Sequence, residues 1–244
     1  MKKQTVLITG ASSGIGLETA RYFLEKGDYV IINSQTESKL REAYHELGAG
    51  KNLAMVAGDV SKKATGEAMV QAALEKSGSV DVLINNAGIY ENKPFLEVSE
   101  AYLDRFLTTN LKGTFFTTQA VIPTMIKQKN GVVINVGTPL VYHAIAESPS
   151  TAPISSKGAI HALTLQLAAE FGKENIRVNT VAPGLIRTPM HGSDLDQNSG
   201  LHLINRIGEP EEVAHMIHAI AKNQLISGAI INVDGGMGAG HHLS

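Results

Sequence analysis

Three glycines stand at positions 10, 14 and 16, in the run Thr9-Gly10-Ala11-Ser12-Ser13-Gly14-Ile15-Gly16, directly after the apolar run Val6-Leu7-Ile8. Glycine at these spacings suits a tight turn whose backbone approaches a diphosphate closely. The helix that follows would aim free N–H groups and the positive end of its dipole at the same anion. A lone glycine-rich loop says little, but one set between a strand and a helix says more. Gly10-Ala11-Ser12-Ser13-Gly14 also fits the G-x-S-x-G form of a nucleophile elbow. That elbow belongs in mid-sheet and needs downstream Asp and His partners, so the phosphate cradle is preferred. The chain has no cysteine, which removes disulfides, thiol nucleophiles and cysteine-ligated metals. His215 and His218 are three apart and His241-His242 adjacent, with no evident third ligand; they read as exposed helix-face and tail residues, and no metal is expected. Phe115-Phe116 reads as core or subunit contact.

The elements that must position the glycine turn follow an alternating pattern. Short β-branched runs at Val6 to Thr9, Tyr29 to Asn33, Leu53 to Ala57, Val82 to Asn85, Val132 to Val136, Arg177 to Val181 and Ala229 to Val233 are continuous rather than alternating. That is the signature of parallel strands covered on both faces. Helical stretches lie between them. Leu17, Ala20, Phe23 and Leu24 share one face and end at Gly27. Ser99-Glu100 opens a long helical region reaching about Lys129, with a kink or break expected at Pro123. Glu209-Pro210-Glu211-Glu212 opens another, with Pro in the first turn and acids at the positive dipole end. The expected fold is α/β: a Rossmann-type doubly wound parallel sheet of about seven strands in three layers, one domain over residues 1–244. The polar stretch from Thr188 to Gly200 reads either as a flap near the site or as a solvated loop.

At 244 residues with 43% apolar content, the chain can bury one sizeable core. No apolar run approaches the roughly 18 residues a membrane helix needs. Met1-Lys2-Lys3 is followed by too short an apolar stretch for a signal peptide, so a cytoplasmic location is expected. The net charge is −2 and no basic stripe stands out, which argues against nucleic acid.

The motif Thr9-Gly10…Gly14…Gly16 resembles the glycine fingerprint of the short-chain dehydrogenase/reductase family. Further segments are similar to that family's, in its order, across essentially the whole chain: Asp59-Val60, Asn85-Asn86-Ala87-Gly88, Asn110-Leu111-Lys112-Gly113, Pro183-Gly184 with Thr188, and Val233-Asp234-Gly235-Gly236. The resemblance implies a nicotinamide dinucleotide held by Gly10, Ser12, Ser13, Gly14, Ile15, Gly16, Ser34, Gln35, Asp59, Val60, Asn86, Ala87, Gly88, Lys157, Pro183, Gly184, Ile186 and Thr188. It also implies homotetramers or homodimers, paired through the helix near Ser99 and the helix carrying Lys157. The end of the second strand reads Asn33-Ser34-Gln35-Thr36, with neither the acid that favours NAD nor an Arg. An absent acid does not repel a phosphate, and these hydroxyl and amide groups can bond one, so NADP is expected over NAD.

Family members use an Asn, a Ser, a Tyr and a Lys four residues after the Tyr. Asn110, Thr138 and Lys157 take the first, second and fourth places by resemblance. The third is broken: position 153 is proline, and the segment between Thr138 and Lys157 is about two residues longer than usual. Tyr142 and His143 are candidate substitutes, although as ordinary loop residues they need no function; a water held by Asn110 and Lys157 is another. Losing a general acid costs about 10²–10⁴ in rate, so a weakened enzyme is conceivable. The expected function is an oxidoreductase moving hydride between nicotinamide and a carbonyl or alcohol, acting on a small-molecule substrate. The alternatives are a cofactor-binding protein without turnover, as a sensor or non-catalytic subunit, and a lyase or isomerase on the same fold.

Overall fold

A computed structural model describes residues 3–192, 195–240 and 242. Seven strands form one sheet: β1 (Thr5–Ile8), β2 (Tyr29–Ser34), β3 (Leu53–Ala57), β4 (Val82–Asn85), β5 (Gly131–Val136), β6 (Ile176–Pro183) and β7 (Ile230–Val233). Their spatial order is β3-β2-β1-β4-β5-β6-β7 and every pairing is parallel. The chain winds outward from β1 to β3, returns to the middle, and winds the other way from β4. The point of reversal therefore lies between β1 and β4, where the strand ends splay loops apart and leave a crevice.

Helices cover both faces, and strand alternation supplies two cores. Val6, Ile8, Val30, Ile32 and Ile134 pack against Ala20 and Phe23 of α1 (Gly14–Glu25) and Val213, Ile217 and Ile220 of α7 (Pro210–Lys222). Leu7, Ile31, Leu83 and Val133 point the other way. They pack on Met69 and Ala73 of α3 (Lys63–Ser77) and Val121 and Met125 of α5 (Gly113–Gln128). The remaining helices are α2 (Glu37–Glu46), α4 (Glu100–Phe106) and α6 (Thr151–Phe171). No helix among the described residues is long and apolar enough to cross a membrane.

Pro123 does not break α5. It and Gln119, whose carbonyl would have met its missing N–H, are both on the exposed face, where that carbonyl is open to solvent. The irregularity falls earlier, where Leu107–Lys112 forms a π-type turn joining α4 to α5. Helix α7 starts as its sequence suggests, with a reciprocal capping box between Glu209 and Glu212. His218 is half-buried rather than a plain surface residue, its ring packed edge-on against Tyr22 and Phe23. Ser193, Asp194 and His241 lie outside the described residues.

A ladder of polar side chains runs inside the second layer, with Asn85 Oδ1 left without a partner among the described residues. Asn85 Nδ2 donates to Asn135 Oδ1 and Thr118 Oγ1, and Asn135 Nδ2 donates to Thr164 Oγ1, each at 2.9 Å. Thr164 in turn meets Thr180 at 2.7 Å. This ladder locks β4, β5 and β6 to α5 and α6 below the crevice. At the opposite end of the sheet, buried Arg177 donates to the carbonyls of Ile220, Ala221 and Ile226 at 2.9–3.1 Å. It closes the negative end of α7. Arg177→Ala leaves three carbonyls without that partner and is expected to cost about 3 kcal/mol, a fall in Tm of roughly 6–12 °C for a chain of this size. Thermal unfolding followed by circular dichroism checks this.

Candidate functional site

The glycine turn and the loop after β4 meet across the crevice with almost no space between them. Thr9 Oγ1 accepts hydrogen bonds from the backbone N–H groups of Asn86 and Ala87, both at 3.0 Å. Asn86 Nδ2 answers by donating to Thr9 O at 3.1 Å and Gly10 O at 2.9 Å. A Cβ at Gly10 would lie 2.7 Å from Ala87 Cα, and one at Gly16 would lie 2.4 Å from Asn86 Nδ2. Gly10 also adopts φ +63, which penalises any side chain. Only glycine allows this approach.

The clasp leaves the start of α1 open. Ser13 at its N-cap makes no side-chain cap, and the first turn holds no acid. A diphosphate fits this cradle of unfilled N–H groups and missing Cβ atoms. Gly10, Ser12, Ser13 and Ile15 line a cavity of about 750 Å3, with Asn86, Ala87 and Gly88 from the facing loop. Thr138 and Lys157 form another wall, and Pro183, Gly184, Ile186 and Thr188 a further one. Gly14 contributes by being small, because Thr188 Cγ2 stands 2.9 Å from where its Cβ would be.

Other candidates lie outside the cavity wall. Ser34 accepts a hydrogen bond from Ser12 Oγ at 3.0 Å, which ties the end of β2 to the turn, and Gln35 is exposed beside it. Asp59 Oδ1 accepts from the Ser61 N–H. Val60 is buried against Gly113, where a Cβ would come within 2.6 Å of it. Asn110 sits in the π-type turn, wholly buried. Its Oδ1 accepts from Ile89 N at 2.8 Å, and its Nδ2 donates to Ile89 O at 3.1 Å and Ser156 Oγ at 2.9 Å. In this arrangement it braces the loop after β4 rather than facing the cavity.

Tyr142 and His143 also do not line the cavity. A short 3-10 turn at Pro139–Val141 carries them outward, leaving Tyr142 67% exposed. Tyr142 stacks instead on His161, with ring centroids 5.4 Å apart. Pro153 is buried on α6, and its carbonyl accepts from Ser156 Oγ at 2.7 Å.

Lys157 is one turn further along α6. Its Nζ donates to Val136 O at 2.6 Å and lines the cavity near Gly88. Burial lowers its pKa to about 8. His161, a further turn along, is 3% exposed, and neither ring nitrogen has a hydrogen-bond partner among the described residues. Burial, and secondarily the Lys157 charge, push it down to about 4, so it is neutral at pH 7. Gly137 makes room for it: a Cβ there would lie 2.5 Å from His161 Nε2.

Several residues near the site carry no signal of spacing in the sequence. Tyr90, Glu147 and Ser148 line the cavity, and Tyr90 Oη lies 3.2 Å from Ser148 Oγ. Buried His202 braces the segment after β6, accepting at Nε2 from Leu185 N at 2.9 Å, with Nδ1 2.7 Å from Arg206 O. The polar stretch after Thr188 returns to the cavity through Met190, His191, Leu195 and Asn198. Arg187 fastens it by ion pairs with Asp196 and Glu209.

Gly10→Ala is expected to cost about 1–3 kcal/mol through its left-handed backbone and to weaken dinucleotide binding at least about tenfold. Gly158→Ala, in α6 with only Val141 Cγ1 within 4 Å, is expected to gain about 0.5–1 kcal/mol. Thermal melts of both variants, with a dinucleotide titration of the first, test the contrast.

Residues 4–199 match the family model described as short chain dehydrogenase. The chain is 34% identical to the BbsD subunit of a hydroxy(phenyl)methyl-succinyl-CoA dehydrogenase from Thauera aromatica, over 97% of each chain. It is 34% identical to the 3-oxoacyl-acyl-carrier-protein reductase FabG of Thermotoga maritima, over 97% of this chain and 98% of that one. The crystal structure of levodione reductase superimposes with a TM-score of 0.90 at 27% identity, over 97% of this chain and 98% of that one. The chain belongs to the short-chain dehydrogenase/reductase family of oxidoreductases.

Proposed function

We propose that this chain moves a hydride between a nicotinamide dinucleotide and a carbonyl or alcohol carbon, with a proton donor other than tyrosine. One observation carries the reading. The cavity that begins at the open N-terminus of α1 continues to Thr138 and the half-buried Lys157. A bound dinucleotide would supply the hydride. Gly10, Ser12, Ser13, Gly14, Ile15 and Gly16 would hold its diphosphate, and Asn86, Ala87 and Gly88 would shape the other side. Asp59 and Val60 would flank the adenine, while Pro183, Gly184, Ile186 and Thr188 would cover the nicotinamide end. Thr138 would donate a hydrogen bond to the substrate oxygen as charge develops on it. Asn110 would act at one remove, by fixing Ile89 and Ser156.

NADP is the proposed dinucleotide. Ser34 and Gln35 offer hydroxyl and amide groups at the end of β2. The acid nearest in sequence, Glu37, is ion-paired with Arg41 at 2.6 Å. The substrate is proposed to be uncharged, because Lys157 and Glu147 are the only charged side chains lining the cavity among the described residues. Homodimers or homotetramers through α4–α5 and α6 are supported by exposed Phe115 and Leu165.

A second reading is a dinucleotide-binding subunit without turnover. Pro153 favours it, and the Thauera relative is named a subunit of a dehydrogenase. Titration of the protein with NADPH and NADH, followed by cofactor fluorescence, tests both readings. NADPH is expected to bind in the micromolar range and more tightly than NADH. Ser34→Asp is expected to reverse that order, weakening NADPH about tenfold or more by charge repulsion. No binding of either form at millimolar concentration would overturn the oxidoreductase reading. Binding without turnover of any uncharged ketone would favour the subunit.

A further inference from the structure

A carbonyl that accepts a hydride must also receive a proton, and position 153 has none to give. Pro153 carries no acidic side chain, and its carbonyl is occupied by Ser156. Each nearby titratable group can be tested for the role. Tyr142 is mostly exposed and stacked on His161, outside the cavity, and His143 does not line the cavity either. His161 lies behind Gly137, closed off from the cavity and neutral at working pH. The Tyr90 hydroxyl lies 3.2 Å from Ser148 Oγ, itself 3.4 Å from Asn92 Oδ1. Glu147 lines the same cavity as a carboxylate. His191, its ring 6.5 Å from that of Tyr90, is pushed by burial below its ordinary range and so toward the neutral form.

Lys157 differs from all of these. Its Nζ lies against Gly88 and bonds Val136 O, in a cavity whose wall also holds Thr138, the hydroxyl expected to hold the substrate oxygen. One of its three N–H bonds goes to Val136 O, and no other hydrogen bond holds it among the described residues. Among the described residues no acid contributes to its lowered pKa, which burial alone causes; His161, which feels its charge, is neutral, and Asn110, against the same face of Gly88, is uncharged. The ammonium therefore stands half-buried in the cavity wall, and burial is the cause of its shift, with no carboxylate contributing.

We propose that the Lys157 ammonium is itself the general acid of this enzyme. The inference rests on the oxidoreductase reading above. In carbonyl reduction, a reduced nicotinamide dinucleotide supplies the hydride to carbon. The Nζ–H bond breaks as the alcohol O–H forms, and the neutral amine left behind regains a proton from solvent. Alcohol oxidation runs in reverse and needs the neutral amine. Burial has brought Lys157 down to about 8, close to working pH, where a proton donor is most effective. The sign follows directly. Reduction is full below about pH 8 and falls tenfold per unit above it, whereas oxidation rises through the same value.

The test compares wild type, Lys157→Arg and Tyr90→Phe. Arginine keeps the charge and donors that would hold the dinucleotide, but it does not release a proton in this range. Lys157→Arg is expected to bind NADPH within a few-fold of wild type, to lose about 10²–10⁴ in kcat, and to lose the break near pH 8. Tyr90→Phe is expected to keep that break. Trace acetylation of the cofactor-free protein, read by mass spectrometry across pH, is expected to show Lys157 titrating about two units below the surface lysines. Lys157 titrating with the surface lysines would overturn the proposal. So would a break near 8 that survives in Lys157→Arg, or one abolished by Tyr90→Phe. Wild type that binds NADPH but reduces no carbonyl would overturn the oxidoreductase reading, and the donor role with it.

Discussion

The contact on which the rest depends is the clasp between Thr9 and Asn86. It joins the ends of β1 and β4, the two strands at which the sheet reverses its direction of winding. Two loops that would otherwise diverge are drawn together until a single methyl group would not fit at Gly10 or Gly16. That closeness has a consequence on either side. Toward the sheet, it continues the polar ladder from Asn85 through Asn135 to Thr164 and Thr180. Toward solvent, it holds the first turn of α1 open, where no side chain caps the free N–H groups. Fold and candidate site are thus consequences of one constraint.

A second constraint runs along α6. Pro153, Lys157 and His161 follow one another at successive turns on the face that meets the sheet, so their environments are set by depth. Pro153 stands nearest the start of the helix and has no proton. His161 is enclosed, with Gly137 giving way to it, and it stays neutral. Lys157 is half-buried and, of the three, is the one that lines the cavity. The helix needs no altered backbone to do this. Proline sits in its first turn, where the missing N–H has no helical partner to lose.

Much of this was legible in the sequence because it depends on local chemistry. The seven β-branched runs correspond to the seven strands, shifted by a residue or two at their ends. Gly10, Gly14 and Gly16 announced a turn because no other residue tolerates it. Other features depend on contacts between distant segments. The helical pattern changes at Leu107–Lys112 and not at Pro123: Pro123 faces solvent, and Asn110 in that turn bonds both the N–H and the carbonyl of Ile89. Tyr142 and His143 lie near Thr138 in sequence, but after the 3-10 turn at Pro139 neither lines the cavity. Tyr90, Glu147 and His202 carry no periodic signal at all, and only the folding of three loops over one crevice brings them to the site.

The most direct test of the central claim follows the hydride itself. The protein would be incubated with uncharged ketones and NADPH deuterated at the transferable position of the nicotinamide, prepared in each configuration. The account predicts an alcohol carrying one deuterium at the former carbonyl carbon, from one of the two configurations only. Alcohol that forms without label from both configurations, or no alcohol from either labelled cofactor, would contradict it.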